Sequence, residues 1–154
     1  MHRKIMVIPL RNQATDEQDQ TATWRYGAVW DTHGTSITDA RHAVRTLLAQ
    51  AGHPPDRRPS QDAQLVVSEL VTNALRHAPG PGGLLLELTS DPALLRITVR
   101  DSSPRPPRPM ARNPHRIGGH GLHLISRLCD RFQTVLLGQG KHVIAELGLH
   151  RTTL

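Results

Sequence analysis

Between Ser60 and Ala78 the chain reads S-Q-D-A-Q-L-V-V-S-E-L-V-T-N-A-L-R-H-A, a periodicity that permits little besides an amphipathic helix packed on a second layer. Leu65, Val66, Leu70, Val71, Ala74 and Leu75 supply the apolar side. Glu69, Asn73 and His77 recur at i, i+4 and i+8, so a carboxylate, an amide and an imidazole project as one stripe. A breaker-rich loop ending at Pro59 precedes this helix, Ser60 is its expected N-cap, and Pro79 to Gly83 ends it.

With 154 residues and 37% hydrophobic content, one domain with its own core is expected. Aromatic residues are only 3%, so that core must be built from Leu, Val, Ile and Ala. A single cysteine, Cys129, forms no internal disulfide, and no apolar run approaches the ~20 residues that cross a bilayer. The start M-H-R-K-I-M-V-I-P-L lacks a signal-peptide cleavage pattern, and a cytoplasmic protein without membrane contact is expected. The net charge is +6, and 17 of the 19 basic residues are arginine. These arginines are scattered or lie in Pro-rich loops with almost no aromatic residues to stack on bases, which argues against direct nucleic-acid binding. An anionic cofactor or an acidic partner suits the charge as well. The ten histidines are dispersed without zinc-ligand spacing.

Residues 1–21 hold a polar tract without periodicity and are expected to be mobile, leaving 22–154 as one domain. Trp24–Trp30 alternates loosely, as an edge strand does, and 35–51 carries Ala40, Ala43, Val44, Leu47 and Leu48 at helical spacing before Gly52, Pro54 and Pro55. Strands are predicted over 84–89 and 94–100, joined by S-D-P as a hairpin. Asp101 ends the second of them. The Pro/Arg-rich stretch 102–117 reads as a long loop, and Leu122, Leu124, Ile125, Leu128 and Cys129 mark a third helix. Strands over 133–137 and 142–147 close the chain. The order β-α-α-β-β-loop-α-β-β predicts an α+β sandwich.

A nucleotide uses three of these pieces together. Gly118, Gly119 and Gly121 lack β-carbons, so backbone N–H groups there approach phosphates closely at a helix start. Asn73 offers a hard neutral oxygen to Mg²⁺, Glu69 stands one turn away to deprotonate a hydroxyl, and Asp101 can accept a hydrogen bond from an exocyclic amine. Bland readings stand beside each: a solvated helix face for Glu69 and Asn73, a turn cap for Asp101, a flexible lead into the helix for the glycines. His77 fits a site role or the favourable placement of histidine in a last helical turn.

The segment E-L-V-T-N-A-L-R-H-A resembles the N box of GHKL (Bergerat-fold) ATPases, V-R-D-S-S-P stands in place of their first glycine box, and G-G-H-G-L resembles their second. The likeness is closer to the small serine/threonine kinases that act as anti-sigma factors, in the actinobacterial ATP-binding regulator branch, through Ala40-Arg41, Ser68 to Ala74, Asp101 to Pro104, Gly119 to Leu122, and Gly140-Lys141 with Val143, Ala145, Glu146 and Leu147. It covers about residues 35–148. The resemblance implies about three helices on one face of a mixed, mostly antiparallel sheet, ATP and Mg²⁺ as cofactors, and a lid at 102–117. It makes Glu69 the base, Asn73 the Mg²⁺ ligand, Asp101 the adenine reader, and Gly118, Gly119, His120, Gly121 and Leu122 the phosphate loop, with His77 in the N box. It implies phosphorylation of a small antagonist protein and sequestration of a sigma factor, with homodimerisation possible for such a chain. The family's D-x-G-x-G is here Asp101-Ser102-Ser103-Pro104-Arg105, and Lys141 or His142 stands where many members place a threonine. These departures admit a second reading, a non-catalytic module that sequesters its partner.

Overall fold

Ser36 begins the first ordered helix by accepting a hydrogen bond on Oγ from the Asp39 N–H at 3.2 Å, and Asp39 adds a negative charge to the first turn. Helix α1 then runs Ile37–Gln50, burying the five apolar residues anticipated for it, and turns off at Gly52 with φ +94°. This computed structural model describes residues 4–6, 24–90, 93–103 and 121–149.

Helix α2 spans Arg58–His77 and starts earlier than expected. Pro59 sits in its first turn, where a missing N–H is harmless and the ring's fixed φ suits the helix. Ser60 is therefore inside the helix, fully buried, and its Oγ accepts from Gln64 Nε2 at 3.1 Å instead of capping. Ala63, Val66, Val67, Leu70, Val71 and Ala74 face the core, whereas Leu65, counted on the apolar side, is 37% exposed.

The strands are β1 Lys4–Met6, β2 Trp24–Trp30, β3 Gly82–Ser90, β4 Ala93–Asp101, β5 Arg131–Leu137 and β6 Gly140–Gly148, with α3 at Gly121–Leu128 between β4 and β5. They form one sheet in the order β1-β2-β3-β4-β6-β5. Every described pairing is antiparallel, in a sheet expected to be mixed and mostly antiparallel. The two hairpins close tightly, Ser90 opposite Ala93 and Leu137 opposite Gly140. Trp24–Trp30 is not an edge strand, because Lys4–Met6 pairs along its outer side. The remainder of 1–21 lies outside the described residues.

The three helices lie on one face of the sheet, giving the expected α+β sandwich. Alternation sends Leu84, Leu86 and Leu88, then Leu95, Ile97 and Val99, then Val143, Ala145 and Leu147 under the helices. Aliphatic residues dominate as composition required, with Tyr26 and Trp30 of β2 added to them. The open face carries one row of charge across five strands: Arg25, Glu87, Arg96, Glu146 and Arg131 stand opposite one another in register. Arg96 Nε reaches Glu146 Oε2 at 2.9 Å, and Arg25 Nε lies 3.5 Å from Glu87 Oε2. No helix among the described residues is long and apolar enough to cross a membrane.

Two positions test this packing. A β-carbon on Gly82 would meet the Arg100 carbonyl oxygen and the Trp30 ring, both at 2.6 Å. Gly82→Ala is expected to cost about 1–3 kcal/mol in urea unfolding, and no loss would contradict the close strand approach. Burial, with the neighbouring Asp130 charge as the smaller cause, pushes the Cys129 thiol up to about 12. Cys129 should therefore stay protonated and react slowly with a disulfide reagent at pH 8, accelerating on unfolding in urea.

Candidate functional site

At the C-terminal end of β4 the alternation that buries Leu95, Ile97 and Val99 places a carboxylate in the next inward position, Asp101. It is 5% exposed. The strand beside it supplies the charge that makes this tolerable: Lys141 stands directly opposite Asp101 in the β4–β6 register and is itself buried. Lys141 Nζ donates to Asp101 Oδ1 at 2.9 Å, lies 2.9 Å from Oδ2, and donates to the Ser103 carbonyl at 3.3 Å. The Ser103 N–H adds a bond to Oδ1 at 2.9 Å. His142, the other residue proposed for this place, pairs opposite Arg100 and points to the other face.

Backbone contacts hold this corner together. Gly140 has φ +106°, and a β-carbon there would collide with the Asp101 carbonyl oxygen. Ser102 Oγ donates to the Pro81 carbonyl at 2.6 Å, tying the end of β4 to the connection that follows α2.

Helix α2 packs on β4, β6 and α3 and runs into that same end through Pro79–Pro81. Glu69 and Asn73 are half-buried on its flank, one turn or about 6 Å apart along the axis. His77, in the last turn, is exposed. The stripe thus climbs α2 toward the end of the sheet where Asp101 lies. Desolvation raises the Glu69 carboxyl above its usual 4.5, and the positive charge of Arg76, the weaker influence, draws it back down. A carboxylate so placed holds its proton more firmly than one in water.

Gly118, Gly119 and His120 lie outside the described residues, as does 104–117 of the expected lid. Gly121 and Leu122 open α3. A cleft of about 310 Å³ lies elsewhere, between α1 and the start of α2, lined by Arg41, Arg45, Pro55, Asp56, Gln61 and Gln64. It includes none of Glu69, Asn73 or Asp101. Tested against a magnesium nucleotide, the donor set of Asn73 and Glu69 fits the phosphate and metal end. Asp101, expected to read the base, does not offer a free carboxylate, since Lys141 already holds it. Sequence reasoning flagged Lys141 as a replaced threonine but missed the ion pair, because the pairing of Lys141 with Asp101 comes from the β4–β6 register and not from local spacing.

The pair makes a sharp stability prediction. Asp101→Ala leaves Lys141 buried without its counter-charge and is expected to cost about 3–5 kcal/mol, whereas Asp101→Leu combined with Lys141→Met should cost far less. Urea unfolding of both variants checks this, and equal losses would contradict a desolvated pair.

Residues 31–147 match the family of the Histidine kinase-like ATPase domain. A solved structure similar in fold is the histidine kinase domain from the Erythrobacter litoralis EL346 blue-light activated histidine kinase, at 22% identity and a TM-score of 0.46. The match covers 73% of this chain and 59% of that one. No curated protein gives a match. With the family's domain extending from Asp31 to Leu147, over most of the sequence, the chain belongs to the histidine kinase-like ATPase domain family.

Proposed function

We propose that the chain is an ATP-dependent serine/threonine protein kinase that works as an anti-sigma factor or partner-switching regulator and phosphorylates a small antagonist protein. The observation that carries this reading is the half-buried Glu69, its carboxyl raised by desolvation, one helical turn from Asn73. A base poised in this way accepts a proton from a serine or threonine hydroxyl more readily than a solvated carboxylate.

In this reading Asn73 holds Mg²⁺ through its amide oxygen, and the backbone around Gly118, Gly119, His120, Gly121 and Leu122 lies against the phosphates. A bound magnesium nucleotide supplies the transferable phosphoryl group and the positive charge that neutralises it. Glu69 orients the protein hydroxyl and takes its proton. His77, at the solvent-exposed end of the stripe, serves the rim of the site. The cleft holding Arg41 and Arg45 offers a basic face to an acidic segment of the antagonist or sigma factor. The protein acts in the cytoplasm, without direct nucleic-acid or membrane contact, as a monomer or a homodimer.

A second reading, a non-catalytic module that sequesters its partner, is favoured by one specific observation: the Lys141 ammonium already engages the carboxylate expected to read adenine.

Glu69→Gln separates base catalysis from binding. Incubated with Mg-ATP and proteins captured on the wild-type chain, the wild type should form phosphoserine or phosphothreonine. The variant should lose this by about 10²–10⁴-fold while keeping ATP affinity. Unchanged transfer would remove Glu69 from the base role. The same variant has a stability signature. Because the folded pKa is raised, the stability linked to protonated Glu69 is complete below about pH 4.5 and is lost as pH rises through the folded value. Glutamine stays neutral, so the variant should be at least as stable as the wild type at pH 7 in thermal unfolding; a lower melting temperature would contradict the desolvation.

A further inference from the structure

The Asp101 corner is satisfied from within the chain. Lys141 Nζ is 2.9 Å from both carboxylate oxygens and 3.3 Å from the Ser103 carbonyl, so its three donors have three acceptors. Oδ1 receives the Ser103 N–H as well. Both side chains are 5% exposed, which keeps water from competing. The main chain beneath Lys141 is held too, because Gly140 lies in a left-handed conformation against the Asp101 carbonyl. Neither side chain reaches this arrangement by chance flexibility: the two residues are direct cross-strand partners on the inward face of the sheet.

A carboxylate selects an amino group when it has an uncompensated charge and open lone pairs to offer. Here the charge is matched and the acceptors are largely used. We propose that Lys141 is the specificity-determining residue of the nucleotide site: by holding Asp101 it takes the place of the base's exocyclic amine, so the site accepts purine nucleoside triphosphates through their phosphates and does not select for the amino group of adenine. This inference rests on the nucleotide-binding reading given above and concerns the base end alone. It adds no role to Glu69 or Asn73.

The probe is a pair of triphosphates that differ at that edge of the base, ATP and inosine triphosphate, the latter carrying a carbonyl where ATP carries the amine and a proton on the adjacent N1. Titration calorimetry of the full chain with each, in the presence of Mg²⁺, should give affinities within about 3-fold of one another, since the Asp101 carboxylate is already engaged by Lys141. Lys141→Thr, which frees the carboxylate, should prefer ATP by about 10-fold or more and bind it more tightly than the wild type. Lys141→Met, which keeps much of the stem's packing without the ammonium, replaces it should the threonine variant fail to fold. A wild type that already prefers ATP by about 10-fold overturns the inference while leaving nucleotide binding intact. A wild type that binds neither triphosphate, with a variant that gains ATP, overturns the acceptance of both nucleotides by the wild type while leaving nucleotide binding at this corner open to the freed carboxylate. Wild type and variant both without affinity overturn it, and remove the nucleotide-binding reading with it.

Discussion

The rotational setting of α2 on the sheet is the constraint from which the rest of the molecule follows. Val66, Val67, Leu70 and Val71 are all 2% exposed or less, and each such burial is worth about 1.5–3 kcal/mol. A turn of the helix by one residue, about 100°, would lift this set out of the core and drive Glu69 and its neighbours into it. No alternative setting competes with that penalty. Glu69 and Asn73 are consequently held on the flank of the buried arc, neither free in solvent nor lost inside, which is the position that desolvates a carboxyl while leaving it reachable.

Magnitudes also decide what happens at the end of β4. An amine donating to an ionised carboxylate contributes about 1.5–3 kcal/mol, whereas removing one partner of a buried ion pair costs about 3–5 kcal/mol. A ligand offering a single amine therefore does not displace the Lys141 ammonium from Asp101 on that bond alone. Stability does not explain the pair either, since apolar residues of similar volume commonly hold such a place as well or better. What the pair does set is the polarity of the corner: it permits a charged residue inside the sheet's covered face without leaving a charge unmatched.

Much of this was legible in the chain. Helices α1 and α2 announce themselves by apolar spacing and by the breakers around them, and both hairpins by short turns between apolar runs. The N-terminus of α2 was misplaced because Ser60 has the chemistry of a cap, while Pro59 before it had already begun the helix. Strand β1 carries no periodicity in its three residues, so β2 looked like an edge. Glu69 and Asn73 were readable because helical spacing alone brings them to one side. The Asp101–Lys141 pair was not, since its partners are separated by 40 positions and meet only through the register of β4 on β6, a quantity that no local pattern encodes.

The two faces of the sheet handle charge in different ways. Across the open face the row from Arg25 to Arg131 alternates in sign, and exposed pairs of this kind contribute only about 0–1 kcal/mol each. Their effect is to keep that face wet and to match like with unlike between strands, not to build a pocket. On the covered face the buried polar side chains among the described residues are Ser60, Gln64, Ser68, Asp101 and Lys141. The first three satisfy one another along α2: Gln64 Nε2 donates to Ser60, and Ser68 Oγ donates to the Gln64 carbonyl. Among the described residues Asp101 and Lys141 remain as buried charge, and they sit where α2, β4 and β6 come together. Among the described residues, buried charge between helix layer and sheet is therefore confined to this end, where it is matched within the pair and needs no partner from the open face.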